Sequence, residues 1–124
     1  MKQIFEREGF KIIVIDEPIS KNEILEEVEL LRDELVKATV DVQRKIIAIW
    51  GELHVDEEQI LLEMGSNQSD LWWINLYLDK DKSERIEYDS MINLRPRDGN
   101  FSRWVDDEEK REQIRQIVYD LIKE

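Results

Sequence analysis

Cysteine is absent from the 124 residues, which excludes disulfides, zinc–thiolate centres and thiol catalysis. Histidine occurs once, as His54, so a metal site built on several imidazoles is excluded too. Four glycines and two prolines leave no glycine-rich cradle for a phosphate. Neither a Gly-x-x-x-x-Gly-Lys loop nor a Gly-x-Ser-x-Gly elbow occurs. No run approaches the roughly 18 apolar residues of a membrane span. The start, Met1-Lys2-Gln3-Ile4-Phe5-Glu6-Arg7-Glu8, has neither the apolar core nor the cleavage site of a secretory signal. The expected compartment is the cytoplasm. Positive charge is scarce as well: 18 Lys and Arg stand against 30 Asp and Glu, net −12. Such a field disfavours nucleic acid and anionic lipid and steers toward a basic protein.

What is present is enough to build a core. Ile, Val, Leu and Phe make up 39 of the residues, well above the level of disordered chains. Phe10 to Ile15 is a β-branched run that predicts a strand, paired across Gly9 with Gln3 to Arg7. Ser20 and Glu23 have the spacing of a capping box. From there Ile24, Val28, Leu31, Leu35, Ala38, Val42, Ile46 and Ile49 recur at gaps of three and four, opposite Glu26, Glu27, Glu29, Asp33 and Glu34. This predicts one long helix ending near Trp50-Gly51, with a break possible at the β-branched stretch from Ala38 to Val42. Alternation predicts strands over Ile60 to Met64, Leu71 to Asp79 and Glu84 to Leu94, with polar Asp79 to Ser83 as a turn. Acidic Asp106 to Glu109 precede a final helix whose buried stripe is Ile114, Ile117, Val118, Leu121 and Ile122. The expectation is one α+β domain over residues 1–124. Its antiparallel meander of three to four strands is packed by a long helix, continuous or broken, in the N-terminal half and by a C-terminal helix.

A turn centred on Asp81 places Ile74 opposite Tyr88 and Leu76 opposite Ile86. Trp72, Ile74, Leu76, Leu78, Ile86 and Tyr88 then share a face that is the core candidate. The other face carries Trp73 opposite Asp89, Asn75 opposite Glu87 and Tyr77 opposite Arg85, joined by Leu61 and Glu63 if the preceding strand pairs in phase. Aromatics interleaved with carboxylates fit a partner surface. The plainer alternative is that a helix or the N-terminal strand covers this face. The candidate partner-binding residues are therefore Glu63, Trp73, Asn75, Tyr77, Glu87 and Asp89.

Chemistry has few footholds. His54-Val55-Asp56-Glu57-Glu58 is the one place where an imidazole meets carboxylates; the i, i+2 spacing does not converge on a helix face, and a solvated loop is the expectation. In the acidic turn, Glu84 and Ser90 stand where a calcium loop needs its glycine and its closing glutamate, so that reading fails. Arg95-Pro96-Arg97 with Arg103 and Trp104 is the only basic, aromatic cluster, and its expected task is to neutralise acidic neighbours. No catalytic residue, cofactor or metal ligand is assigned.

The size, the acidity, the lack of catalytic motifs, and the strand Leu71-Trp72-Trp73-Ile74-Asn75-Leu76-Tyr77 followed by acidic Glu84 to Asp89 resemble the bacterial immunity proteins of contact-dependent and polymorphic toxin systems. The resemblance is one of general character and carries no family residues onto this chain. It implies a cytoplasmic, non-enzymatic inhibitor whose carboxylates meet a basic toxin domain, such as a nuclease, and whose aromatics slow its release. Mimicry of DNA against a DNA-binding protein follows the same physics. The alternative is a small-ligand-binding or enzymatic domain with a site near His54 or beneath Trp104.

Overall fold

A computed structural model describes residues 2–7, 10–27, 35–51 and 53–124. The β-branched run from Phe10 forms as expected: β1 (Lys2–Arg7) and β2 (Phe10–Ile15) pair antiparallel, with Gln3 opposite Val14 and Phe5 opposite Ile12. Gly9, expected at their turn, lies outside the described residues. A short strand β3 (Ile19–Ser20) leads into α1 (Lys21–Glu27). There Ser20 Oγ accepts from the Glu23 amide at 3.1 Å, which satisfies one of the unpaired donors of the first turn.

The helix expected from Ser20 to near Trp50, continuous or broken at Ala38 to Val42, forms over Lys21–Glu27 and is overturned from Val36 onward. Its Val28, Leu31, Glu29, Asp33 and Glu34 lie outside the described residues. From Val36 onward the chain is a hairpin of β4 (Val36–Asp41) and β5 (Ile46–Ile49), with Val40 opposite Ile47. The helical spacing of Ala38, Val42, Ile46 and Ile49 straddles the hairpin's turn. Asp41 Oδ1 accepts from the amides of Gln43 and Arg44, each at 2.9 Å, and Lys45 takes φ 56°. An aspartate bonding to amides two and three residues on is a turn-former, and the β-branched neighbours prefer extended backbone.

The strand expected over Ile60 to Met64 is instead part of α2 (His54–Glu63). Ile60 and Leu61, adjacent in sequence, are both buried on the side that faces the sheet, while Leu62 is exposed. Next come β6 (Leu71–Leu76), β7 (Ile86–Glu87), α3 (Glu108–Leu121) and β8 (Ile122–Lys123). Among the described residues the main sheet has six strands in the order β1-β2-β5-β4-β6-β7, every neighbouring pair antiparallel, where three or four were expected. β3 and β8 form a separate parallel ladder that ties α1 to the end of α3.

The hairpin register about Asp81 is the expected one, Leu76 opposite Ile86 and Asn75 opposite Glu87. The strand expected to continue to Leu94 stops at Glu87, so Asp89 does not sit opposite Trp73. The Asn93 side chain takes that place: its Oδ1 accepts from the Trp73 amide at 3.1 Å, and its Nδ2 donates to the Trp73 carbonyl at 2.8 Å. One carboxamide thus satisfies both backbone groups that a strand residue would have paired.

Alternate residues of the same strands feed two cores. Ile13, Ile15, Val36, Ala38, Val40, Ile47, Ile49, Trp72, Ile74 and Leu76 pack on one side beneath Ile114, Ile117, Val118 and Leu121 of α3. Ile86 and Tyr88 border that core half-buried, on the side expected of them. Ile12, Val14, Ile46, Ala48, Leu71 and Trp73 pack on the other side with Ile60 and Leu61 of α2. Asp107 Oδ1 caps α3 by accepting from the Glu109 amide at 2.9 Å. Among the described residues no helix is long and apolar enough to cross a membrane.

Candidate functional site

The face of the sheet beneath α2 is where polar groups gather. β4 and β6 run in register with Thr39 opposite Trp73 and Lys37 opposite Asn75, so all four side chains point the same way. Over them lies the first turn of α2, in which His54 and Glu57 are three residues apart and face the sheet together, both buried. This corrects the solvated loop expected for His54. The i, i+3 relation to Glu57 carries the geometry, and the i, i+2 relation to Asp56 does not.

His54 Nε2 lies 2.7 Å from the Ile74 carbonyl oxygen, which can only accept, so Nε2 carries the proton and Nδ1 carries the lone pair. Ser90 Oγ is 2.9 Å from Nδ1 and donates to it. Burial holds the imidazole below its ordinary value, and the nearby Lys37 ammonium acts in the same direction; the Ile74 carbonyl and Asp89 oppose them. Glu57 is wholly buried, with Oε1 accepting from Thr39 Oγ1 at 2.9 Å and Oε2 from the Gly51 amide at 2.8 Å. Burial pushes its carboxyl well above the usual range, against the Gly51 and Thr39 hydrogen bonds. Gly51 permits this approach, since a Cβ there would stand 2.6 Å from Glu57 Cγ.

Beside His54 opens a cleft of about 400 Å³. Lys37 and Asn75 of the sheet, Leu53 and Val55 at the start of α2, and the segment Asp89 to Ile92 with Arg103 form its walls. The far wall is irregular but firmly held. Asn100 Nδ2 donates to the carbonyls of Asn93 at 2.8 Å, Ser102 at 3.1 Å and Trp104 at 2.7 Å, while its Oδ1 accepts from the Asp106 amide at 2.9 Å. Asn93 Nδ2 also reaches the Arg103 carbonyl, and the Ser90 amide bonds the same oxygen. A loop fixed by buried carboxamides in place of a ladder presents its side chains without regular secondary structure. Gly99, at φ 79°, closes the tip of this loop after the turn Pro96–Asp98.

The residues expected to bind a partner are dispersed. Asn75 and Asp89 line the cleft, and Glu87 stands just behind them, its Oε1 accepting from Asn75 Nδ2 at 2.8 Å. Trp73 is fully buried beneath α2 and presents no surface, because α2 rather than a strand lies over it. Tyr77 is half-buried under the Lys80 ammonium, 4.2 Å from its ring centre. Glu63 is exposed on the last turn of α2, and Leu61 reaches the Trp73 core from that helix. The basic cluster does neutralise acidic neighbours: Arg103 Nε pairs with Asp89 Oδ1 at 2.9 Å, and Arg95 with Asp98 at 3.6 Å. Arg95 also bonds the carbonyls of Gln68 and Leu71 while its guanidinium lies 4.4 Å and 4.7 Å from the Trp72 and Trp73 rings. Trp104 is half-exposed with its ring edge against Tyr88. Lys37, Glu57 and Ser90 were missed as site residues. Only the i, i+3 spacing of His54 and Glu57 offered a signal in the sequence.

Among the described residues no group of three or more His, Asp or Glu is placed to hold a metal ion. Residues 13–121 match the model of a family described as a protein of unknown function, DUF5674, and the chain belongs to that family. No curated protein and no solved structure matches the chain.

Proposed function

We propose that this protein is a binding protein that engages a basic partner protein through the cleft beside His54, in the manner of an immunity protein occupying a toxin domain. The observation that carries this reading is the apolar rim of the cleft. Leu53, Val55 and Met91 are 56 %, 52 % and 63 % exposed and surround a floor of hydrogen-bonded polar groups. Exposed apolar side chains gathered at one cleft mark an interaction surface, and their desolvation on docking gives residence time. The excess of 30 acidic over 18 basic side chains supplies the long-range attraction, and Glu87 and Asp89 bring it to the edge of the cleft. Asp89 already pairs with Arg103, so a partner's guanidinium would enter by exchange at that carboxylate.

The test compares wild type with the double variant Leu53→Asp, Met91→Asp as baits in a lysate of the native host, eluted by a salt gradient. The expected result is a stoichiometric basic protein that wild type holds until high salt and the variant releases at least tenfold more readily, roughly the loss of one good apolar contact. Equal retention by both baits, or no basic partner on either, overturns the assignment.

A further inference from the structure

His54 and Ser90 have a chemistry that docking a protein does not use. The order Ser90 Oγ–H to His54 Nδ1 at 2.9 Å, then His54 Nε2–H to the Ile74 carbonyl at 2.7 Å, is that of a nucleophile, a base and an orienting acceptor. The carbonyl holds the ring in the one tautomer whose lone pair faces the serine. Burial keeps the imidazole uncharged near neutral pH, the state in which it can take a proton. His54 and Ser90 are 9 % and 7 % exposed and line the same cleft. Lys37 lines it too, and its ammonium has no ion-pair partner among the described residues, although the chain is strongly acidic. A cation lining the same cleft as a nucleophile is a group that would stabilise an oxyanion formed there. Leu53, Val55 and Met91 offer an apolar wall for an acyl chain.

We propose that Ser90 is a nucleophile activated by His54, and that the cleft hydrolyses esters of short apolar acyl groups. Ser90 Oγ bonds to the ester carbonyl carbon as its proton passes to His54 Nδ1. The resulting oxyanion faces Lys37. Collapse breaks the bond to the alcohol oxygen, which leaves with the proton from His54. Water, deprotonated by the same nitrogen, then attacks the acyl-serine, releases the acid and restores the hydroxyl. The orienting group is a carbonyl dipole rather than a buried carboxylate, and Asp89 is the nearby negative charge that favours the imidazolium. This activity does not rest on partner binding: it belongs to the free chain, and a protein seated on Leu53, Val55 and Met91 would close the cleft to an ester.

The test treats the purified full chain with a fluorophosphonate probe and, separately, with p-nitrophenyl butyrate. The expected result is one phosphonyl group per chain, mapped to Ser90 by peptide mass, and saturable release of p-nitrophenol. Ser90→Ala abolishes both, and His54→Gln slows labelling by roughly 100-fold with Ser90 still present. Circular dichroism of each variant establishes folding; should His54→Gln unfold, wild type against Ser90→Ala decides alone. A folded wild type that takes no label, labels at another serine, or turns over ester no faster than Ser90→Ala overturns the proposal.

Discussion

The two faces of the central sheet are made by alternate residues of the same strands, yet they are built on different terms. Toward α3 the strands contribute Ile13, Ile15, Val36, Ala38, Val40, Ile47, Ile49, Ile74 and Leu76, with Trp72 among them. Burial of apolar surface holds that side together, and the buried Trp72 indole N–H there finds no hydrogen-bond partner among the described residues. Toward α2 the same strands contribute Thr39, Asp41 and Asn75 between the apolar groups, and the helix adds His54 and Glu57. Each has to find a hydrogen bond, because an unpaired buried polar group costs about 1–3 kcal/mol. Thr39 meets Glu57, Asp41 meets Ser66 at 2.6 Å, and Asn75 meets Glu87 and the Asp89 carbonyl. The face toward α3 serves as a scaffold. The face toward α2 carries a network whose members must all be present, and the cleft opens there.

The largest expected effect belongs to the apolar face. Ile74→Ala removes a fully buried side chain beneath α3 and lowers stability by about 4 kcal/mol in urea titrations. The loss is the same at pH 5 and pH 8, since the side chain belongs to a cluster of apolar residues. A pH-dependent loss would show that the two faces are coupled.

On the polar face, Asn93→Ala leaves the Trp73 amide and carbonyl without partners. A loss of about 3 kcal/mol follows, with hydrogen exchange at the Trp73 amide accelerated beyond that of its neighbours in β6. Exchange rising equally along β6 would mean that the side chain is not an isolated substitute for a strand.

The smallest effect at a single pH, and the sharpest across pH, is that of Glu57→Gln. Burial raises the Glu57 carboxyl in the fold above its ordinary value near 4.5. Its contribution is therefore complete below that value and is lost as pH rises through the folded pKa. The glutamine variant has a constant offset from donating where a carboxylate accepted, but it lacks this decline. Its stability relative to wild type rises from pH 5 to pH 8, measured as the difference between the two denaturation profiles. His54 acts with the opposite sign: its lowered value makes stability fall as pH drops below about 6.5. Parallel profiles for wild type and Glu57→Gln would show that the carboxyl ionises at its ordinary value despite its burial.

Several elements were legible because local signals agreed. The β1–β2 hairpin follows from a β-branched run, and the β6–β7 register from a polar turn of fixed centre. α3 follows from acidic residues at its start and a clean apolar stripe. The segment from Leu35 to Ile49 misled because gaps of three and four also arise when two strands with period two are joined across a turn. At Ile60 to Met64 three consecutive apolar residues fit either period, and the helix won because Ile60 and Leu61 both had the sheet to cover. The candidate site was half legible. His54 was singled out from residue type, and Asn75 and Asp89 from a hairpin register that holds at Asn75 and not at Asp89, whereas Ser90 was read as one more alternating residue of a strand that ends before it.

Composition by itself determined what this protein cannot do with thiols or clustered imidazoles, the sign of its field, and those elements whose apolar period was unambiguous. Such properties are sums over residues or over neighbours along the chain. The meeting of Ser90 with His54 spans 36 residues, and that of Glu57 with Thr39 spans 18. Only the tertiary structure decided these meetings, because they depend on where α2 comes to rest on the sheet and on a carboxamide that ends a strand early. Neither leaves a periodic trace in the sequence.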